Sequence, residues 1–342
     1  MLKKVAWMLV ISLLAFLVVA QFLPREHRVQ RGIFVEQPAS LVFTLLNGYS
    51  HFNEWSPWAA RDASARYSAS GPDYGTGARL DWQGDPRIVG TGWQRITFSE
   101  PHRRIDMQLD FGEQGTANSS FLIDEVQGGT ALQWQFRTDV TEGKGYLGRV
   151  LGRYFGLFLE KWIGDDYEQG LAAFKQYAET FPGTDFAAAD IKLVEAEARE
   201  ILYVEGQSGH DPDEVAQALA SAFGEVIRFL AEQEIELAGQ PMAITRQWDD
   251  DRYFFEAALP VSRLPESTNG RVMAGMSPQG RAVRLVHTGP YDQMRDAYDE
   301  LSAWMAAHRI EAGEVSWEHY ISDPGSTPAQ DLVTHIYFLV GD

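Results

Sequence analysis

One carboxylate near the C-terminus stands among large aromatic residues. Glu318 follows Trp317 and lies two residues before Tyr320, in a segment that alternates like a β-strand. A carboxylate among aromatic side chains costs free energy unless it has a cationic or hydrogen-bonding partner, so it marks a candidate binding site. A cationic aromatic ligand would be attracted by the charge and by the ring faces. The alternative is a half-exposed glutamate on an edge strand.

Other catalytic patterns are missing from the sequence. The chain has no cysteine, which excludes disulfides, thiolate metal sites and thiol nucleophiles. It has no His-Glu-x-x-His pair, and neither Gly75-Thr-Gly77 nor Gly90-Thr-Gly92 continues into a dinucleotide-binding motif. We therefore expect neither a metal nor a cofactor, and residues 28–180 point to no acid–base pair.

Size and charge set further bounds. The 342 residues, 45% of them hydrophobic, can form two cores of ordinary size. The 48 acidic and 29 basic residues give a formal net charge of −19. Because such a surface repels phosphate backbones, we expect no nucleic-acid partner.

The N-terminal residues 1–24 contain an apolar run, Val5 to Leu23, behind Lys3 and Lys4. About 19 helical residues cover roughly 29 Å, which matches the hydrocarbon core of a bilayer. The run predicts a single-pass membrane anchor with the soluble domains outside the cytoplasm. The alternative is a cleaved signal peptide, since small residues at 18–20 offer a cleavage site.

Residues 28–180 predict a curved antiparallel sheet and a long helix. A strand at 29–36 and a short helix near 41–46 precede five alternating runs separated by glycines, at 79–83, 91–98, 104–111, 119–126 and 130–138. A helical pattern then covers about 147–178. Within it Gly148, Gly152 and Gly156 lie four residues apart, which indicates close packing against the sheet, a ligand or another helix.

This segment resembles the START-like (SRPBCC, polyketide-cyclase-like) fold. The resemblance rests on four stretches, Phe34–Phe43, the Trp55-Ser-Pro-Trp58 box, Gly71–Ala78 and Gly90-Thr-Gly92. It implies a cavity between sheet and helix, used in that superfamily for lipid transport, cyclisation or binding. Trp82, Trp93, Trp134 and Phe136 are the candidate lining residues of this second cavity. The alternative for each is core packing.

Residues 181–190 form a linker, and residues 191–342 contain an internal repeat. Pro182-Gly183 breaks the long helix. Two segments of about 55 to 60 residues then share the order strand, helix, strand, strand, beginning at Glu200 and Arg281. The repeat predicts a pseudo-two-fold domain with a pocket where the halves join. The predicted fold class is therefore α+β.

The last 150 or so residues resemble the GyrI-like effector-binding domain. The residues that carry the resemblance are His287 to Trp304, Trp317 to Pro324 and Thr334 to Val340. In that family the acid at the position of Glu318 lies in a pocket and faces cationic or polar aromatic ligands. The candidate ligand-binding residues are Glu318, Trp317, Tyr320, Tyr291, Tyr253, Phe255 and Tyr337.

Three functions remain open. The first is a membrane-anchored, non-enzymatic sensor or carrier of hydrophobic or cationic small molecules, attached through residues 5–23. The second is a hydrolase of electrophilic small molecules in which Glu318 acts as general base, with Tyr320 or Tyr291. The third is a scaffold in a membrane complex. The resemblance specifies the fold more firmly than the function.

Overall fold

The computed structural model describes residues 2–341. The chain divides after Ala187 into two compact units, residues 1–187 and residues 188–342. We call them the N-terminal unit and the C-terminal unit. Each has its own antiparallel sheet, with seven and eight strands, so the predicted α+β class with an apolar N-terminal helix is confirmed.

The N-terminal unit begins with an apolar helix and ends with a long one. Its helices are α1 (Leu2–Phe22), α2 (Ala39–Leu46), α3 (Phe52–Trp55), α4 (Pro57–Arg61) and α5 (Tyr146–Ala178). Its strands are β1 (Glu26–Val35), β2 (Arg66–Ser70), β3 (Arg79–Gln83), β4 (Thr91–Glu100), β5 (Arg104–Asp110), β6 (Thr116–Val126) and β7 (Gly129–Asp139). The sheet order is β1-β7-β6-β5-β4-β3-β2. Only β2 has no counterpart among the predicted strands.

The long helix α5 packs across the inner face of this sheet. On β7, buried Leu132, Trp134 and Phe136 alternate with more exposed residues, as expected for a strand with one covered face. A side chain at Gly152 would clash with the Val140 carbonyl, and one at Gly156 would clash with the His27 ring. These two glycines therefore let α5 approach the sheet, which is the first of the three explanations that the sequence left open.

Helix α1 is apolar along most of its length. Its span Lys3–Phe22 has a mean hydropathy of 2.5, and 6% of it is buried. By length and composition it can cross a membrane, and a signal sequence near an N-terminus would look the same. The structure thus confirms the apolar helix, while the choice between anchor and signal peptide stays a prediction.

The C-terminal unit is built from the predicted repeat. Its strands are β8 (Asp190–Ala196), β9 (Glu200–Ser208), β10 (Met242–Trp248), β11 (Tyr253–Pro260), β12 (Met273–Met276), β13 (Gly280–Thr288), β14 (Ala312–Tyr320) and β15 (Val333–Val340). Its helices are α6 (Pro212–Gln233) and α7 (Met294–Ala307). The order β9-α6-β10-β11 is followed by β13-α7-β14-β15, so the strand-helix-strand-strand repeat is confirmed. The two further strands, β8 and β12, lie at the sheet edges.

Both helices of the C-terminal unit cover the same sheet face. Helix α6 begins at an N-cap, Asp211, whose carboxylate accepts from the amides of Asp213 and Glu214 at 3.0 and 3.2 Å. It packs on β9 and β11, and α7 packs on β13 and β15. Strand β10 pairs with β14 and so joins the two repeats in one sheet, β12-β9-β11-β10-β14-β15-β13-β8.

Candidate ligand site around Glu318

Glu318 lies on β14, close to the join of the two repeats. Its cross-strand neighbours are Ala243 on β10 and Ile336 on β15. Ala243 belongs to the core under α6, and Ile336 belongs to the core under α7. Because directly opposed residues share a sheet face, the Glu318 side chain points to the helix-covered face, where the two cores meet.

Two tyrosine hydroxyls hold the carboxylate. Tyr298 on α7 donates to Oε1 at 2.7 Å, and Tyr320 on β14 donates to Oε2 at 2.6 Å. Glu318, Tyr298 and Tyr320 are all half-buried. The carboxylate is thus recessed among protein atoms, and each of its oxygens already accepts one charge-assisted hydrogen bond.

Opposing effects set the charge of this group. Burial raises the pKa of the Glu318 carboxyl, and the hydrogen bonds from Tyr320 and Tyr298 and the electrostatic effect of His287 lower it. Burial together with the Glu318 charge raises the pKa of both hydroxyls well above the ordinary value for tyrosine. The two tyrosines therefore stay protonated as donors, and the site presents one acidic group that titrates above its usual range.

Aromatic rings near the carboxylate come from α6, from β11 and from the short helical turn before α7. Tyr320 makes edge-to-face contacts with Tyr291 at 5.7 Å and with Phe223 of α6 at 6.2 Å between ring centroids. Tyr253 is 5% exposed and packs on Phe255 at 5.2 Å. Burial and the Glu318 charge raise the pKa of Tyr253. The structure thus brings five of the predicted residues into one region, namely Glu318, Tyr320, Tyr291, Tyr253 and Phe255.

Two predicted lining residues lie on the opposite face of the sheet. Trp317 stacks on its cross-strand partner Tyr337 at 4.8 Å, with the planes 3° apart. Both pack in a different cluster, with Ile201, Met242 and Ile244. Neighbouring residues on a strand point to opposite faces, so Trp317 and Tyr337 cannot line the pocket that contains Glu318. The register of β14 with β15 shifts between Ala312 and Ser316 and is regular from Ser316 to Tyr320, so this alternation holds at Glu318.

A histidine completes that opposite cluster. The Trp317 indole N–H donates to Nε2 of His319 at 3.1 Å, so this nitrogen must be unprotonated. Burial lowers the pKa of His319 to about 4. On this face of β14 the imidazole of His319 is therefore neutral near pH 7, and the charges that act on the cluster include the guanidinium groups of Arg199 and Arg284.

Sequence reasoning missed two contributors to the site, Tyr298 and Phe223. Tyr298 supplies one of the two hydrogen bonds to Glu318, and Phe223 packs on Tyr320. Tyr298 lies seven residues after Tyr291, and that spacing places two residues on the same side of a helix. A polar aromatic residue at this spacing was the sequence signal that could have identified Tyr298, whereas the sequence contains no such signal for Phe223.

In the N-terminal unit, two of the four predicted cavity residues are packed core. Trp134 and Phe136 are 3% and 6% exposed. Trp134 stacks on Tyr167 of α5 at 3.8 Å and contacts Trp55 and Phe121 at 5.7 and 5.0 Å. Its indole N–H donates to Ser119 Oγ at 2.9 Å. These contacts fill the space between β7 and α5 with aromatic side chains.

The other two are separated by the sheet. Trp82 points to the inner face, where it packs on Phe111 at 5.9 Å and donates to the Val89 carbonyl at 3.2 Å. Trp93 pairs with Asp81 and lies on the outer face, with the guanidinium of Arg79 over its ring at 4.4 Å. The four residues therefore do not converge on one cavity.

The acidic group that this region offers for chemistry is the Glu318 carboxylate. The carboxylate has aromatic edges and faces near it, and its two hydrogen-bond donors are neutral. Within residues 2–341, no group of three or more His, Asp or Glu side chains could hold a metal ion. The arrangement thus offers one acid, several ring faces and tyrosine hydroxyls.

Two family models match the chain, one in each unit. Residues 189–340 match the GyrI-like small molecule binding domain. Residues 26–179 match the family of polyketide cyclase / dehydrase and lipid transport proteins. None of the curated proteins compared with the chain matches it.

Several solved structures resemble part of the chain. The crystal structure of the EcmrR C-terminal domain is 17% identical, covers 45% of this chain and 98% of its own, and has a TM-score of 0.38. EcmrR in a cryo-EM structure of its complex with DNA is 16% identical, covers 58% and 73%, and has a TM-score of 0.41. A crystal structure described as a hydrolase from Listeria innocua is 16% identical, covers 49% and 98%, and has a TM-score of 0.32.

Proposed function

We propose that this chain, which joins an SRPBCC-type domain to a GyrI-like domain, is a membrane-anchored protein that binds cationic aromatic small molecules at Glu318. Both family models describe small-molecule binding or lipid transport, which supports a small ligand as the partner. The cationic class of ligand, the anchor and the absence of DNA binding belong to the proposal.

The observation that carries the proposal is the state of Glu318. The Glu318 residue is half-buried, its carboxylate accepts hydrogen bonds from two neutral tyrosine hydroxyls, and His287 acts on it electrostatically. A recessed carboxylate hydrogen-bonded by neutral hydroxyls gains free energy when a cation arrives, because the cation replaces lost hydration. The rings of Tyr320, Tyr291 and Phe223 add apolar contact and ring faces.

The test is a pair of ligands that differ in charge. Binding of tetraphenylphosphonium, a lipophilic aromatic cation, and of neutral triphenylphosphine oxide is measured by calorimetry on the full chain in detergent. We expect the cation to bind more tightly, and Glu318→Gln to weaken its binding about tenfold or more, since charge-assisted contacts contribute roughly 1.5–3 kcal/mol.

Glu314→Gln is the matched control, because this residue is on the same strand and exposed. It removes one negative charge without touching the site, so its affinities should equal those of the parent. Equal loss in both variants would indicate a general charge effect. Equal affinity for the charged and neutral ligands in the parent would contradict the cation site.

The anchor is proposed from helix α1, with the soluble units outside the cytoplasm. Its apolar side chains, such as Trp7, Leu9 and Leu13, are 69%, 67% and 59% exposed, so this surface has no protein cover in the chain itself. Mass spectrometry of the chain recovered from membranes should find residues 1–24 intact, and externally added protease should reach the two units. A mature chain that begins near residue 21 would mean a cleaved signal peptide.

A hydrolase is the second candidate, and the pKa of Glu318 favours it. A general base works best when its pKa lies near the working pH, and burial shifts this carboxyl in that direction. Glu318 would take a proton from water as the water attacks the carbonyl of an ester, and the ester C–O bond would break as a tyrosine hydroxyl protonates the leaving oxygen. The tyrosinate would then recover the proton from Glu318. An activated ester such as p-nitrophenyl acetate tests this, because turnover should disappear in Glu318→Gln and persist in Glu314→Gln.

A further inference from the structure

An exposed apolar stripe runs along the first half of helix α5. It consists of Leu147, Leu151, Phe155, Phe158 and Trp162, which are 68%, 60%, 51%, 55% and 47% exposed. Their spacing of four, four, three and four residues places them on one side of the helix. Gly152 and Gly156, which pack toward the sheet, lie on the other side. Large apolar surfaces of this kind mark interaction sites.

The C-terminal end of the stripe is a cluster of aromatic rings that contact one another. Trp162 contacts Phe158 at 5.5 Å in a stacked arrangement and Phe155 at 5.2 Å. These rings pack on one another and remain about half exposed. Tryptophan is also the side chain that prefers the boundary between lipid headgroups and acyl chains.

The stripe lies beside the apolar helix α1. Tyr154, three residues after Leu151 and four before Phe158, stacks on Phe16 of α1 at 4.1 Å and donates to the Phe16 carbonyl at 2.8 Å. Arg153 donates to the Ala20 carbonyl at 2.7 Å. Residues three and four apart are neighbours on a helix surface, so the surface of α1 continues into the stripe.

The connection between α1 and the sheet is short. Helix α1 ends at Phe22 and β1 begins at Glu26, which leaves three residues, at most about 10 Å of extended chain. α5 packs against β1 through Gly156. A bilayer that holds α1 is therefore within reach of the start of α5.

The charge of this segment is opposite to that of the chain. Residues 143–163 contain four bases, Lys144, Arg149, Arg153 and Lys161, and one acid, Glu160, which gives +3 in a chain of −19. Beyond Trp162 the sign reverses with Asp165, Asp166 and Glu168. Bases beside an apolar stripe are the pattern of helices that lie in the plane of a membrane surface containing anionic lipids.

We propose that the apolar stripe of α5 is a second membrane contact, which lies in the headgroup region of a bilayer that contains anionic lipids. The inference extends the proposed anchor and does not require the Glu318 site. The contact would hold the N-terminal unit in a fixed orientation against the bilayer. A single spanning helix would leave the unit free to rotate relative to the bilayer.

The experiment uses the absence of cysteine from the natural chain. Single cysteines at Leu151, Phe158, Leu13 and Phe98 are labelled with an environment-sensitive nitrobenzoxadiazole dye, and the full chain is reconstituted in phosphatidylcholine vesicles with 30% phosphatidylglycerol. Phe98 is the matched control, since it is apolar, 47% exposed and on the outer face of the sheet opposite Asp106. Lipids with a nitroxide near the headgroup serve as quenchers.

We expect blue-shifted emission and quenching by the nitroxide lipid for labels at 151 and 158, at least twofold more than for a label at 98. Replacing Arg149 and Lys161 by glutamine should reduce that difference. The inference is overturned if the labels at 151 and 158 behave like the label at 98 while the label at 13 is in lipid. It is also overturned if Leu151→Cys chains cross-link to each other and their labels escape the quencher, because a second copy then covers the stripe.

The label at position 13 separates this inference from the anchor. If α1 is absent from the bilayer and labels at 151 and 158 are still quenched, the stripe binds lipid on its own and the anchor fails. If the label at 13 is quenched and the other two are not, the anchor stands and the stripe contact fails.

Discussion

Aromatic residues build both the interior of the N-terminal unit and the surroundings of Glu318, with different results. Around Trp134 the rings face one another, and Ser119 accepts the buried indole N–H. Around Glu318 the two hydroxyls turn inward toward one carboxylate, and the group stays half-buried. In the first region the buried polar group has a hydrogen-bond partner within the core, whereas in the second a carboxylate is held by neutral hydroxyls, with His287 acting on it electrostatically. The hydrogen-bond and charge partners of the polar groups, more than the residue types, distinguish the closed core from the candidate site.

The largest effect that tests this contrast is expected at Trp134. Trp134→Ala removes a large side chain from a closed core, and such changes cost about 3–5 kcal/mol. Urea unfolding followed by circular dichroism measures the loss, and cation affinity should not change. Trp93→Ala is the control, because that ring lies half exposed on the outer face, and it should cost less than about 1 kcal/mol. Equal losses for the two variants would contradict a closed core around Trp134.

A second prediction uses pH at the Glu318 site. Because burial raises the pKa of this carboxyl, it takes up a proton at a higher pH than an ordinary glutamate. The affinity for the cation should be at its maximum above the raised pKa, where the carboxyl is ionised, and should fall about tenfold for each pH unit below it. Calorimetric titrations between pH 8 and pH 4 measure this, with Glu318→Gln as a pH-independent baseline. A parent protein whose affinity begins to fall only below pH 4.5 would contradict the raised pKa.

The smallest effect is expected from one hydroxyl. Tyr298→Phe removes the donor to Oε1 and keeps the ring, so the free energy of unfolding should fall by about 1 kcal/mol. The pH at which cation affinity begins to fall should move upward, since the lost hydrogen bond favoured the ionised form. Tyr291→Phe is the control, because Tyr291 contacts Tyr320 through its ring. An identical pH profile in the two variants would show that the Tyr298 hydroxyl does not tune Glu318.

Much of the fold could be predicted because its elements depend on local sequence patterns. The helical pattern of α5 depends on apolar periodicity. The strands separated by glycines and the repeated strand-helix-strand-strand order depend on alternation and on turn residues. The strands β2, β8 and β12 escaped prediction. β2 is largely exposed, with the sequence Arg-Tyr-Ser-Ala-Ser, so it lacks a hydrophobic pattern, and β8 and β12 lie at sheet edges with few buried positions.

The site was predicted less completely because it depends on tertiary contacts. Proximity in sequence suggested that Trp317 shares a pocket with Glu318, and strand alternation places it on the other face. Tyr337 lies on the same face as Trp317 because the two residues are directly paired across β14 and β15. Tyr298 comes from a helix, and its direction depends on how α7 packs on β13 and β15. None of these relations is encoded in the spacing around Glu318 alone.

The pairing of β10 with β14 has a consequence for stoichiometry. Directly across this pair from Glu318 lies Ala243, so the domain, although built from a duplicated unit, carries a single acid at the centre of its seam. A duplication with two acids there would bring like charges together and would suit a dication. With one acid, the domain is expected to hold one monocation at a time, and an elongated ligand would have its charged end fixed toward β14.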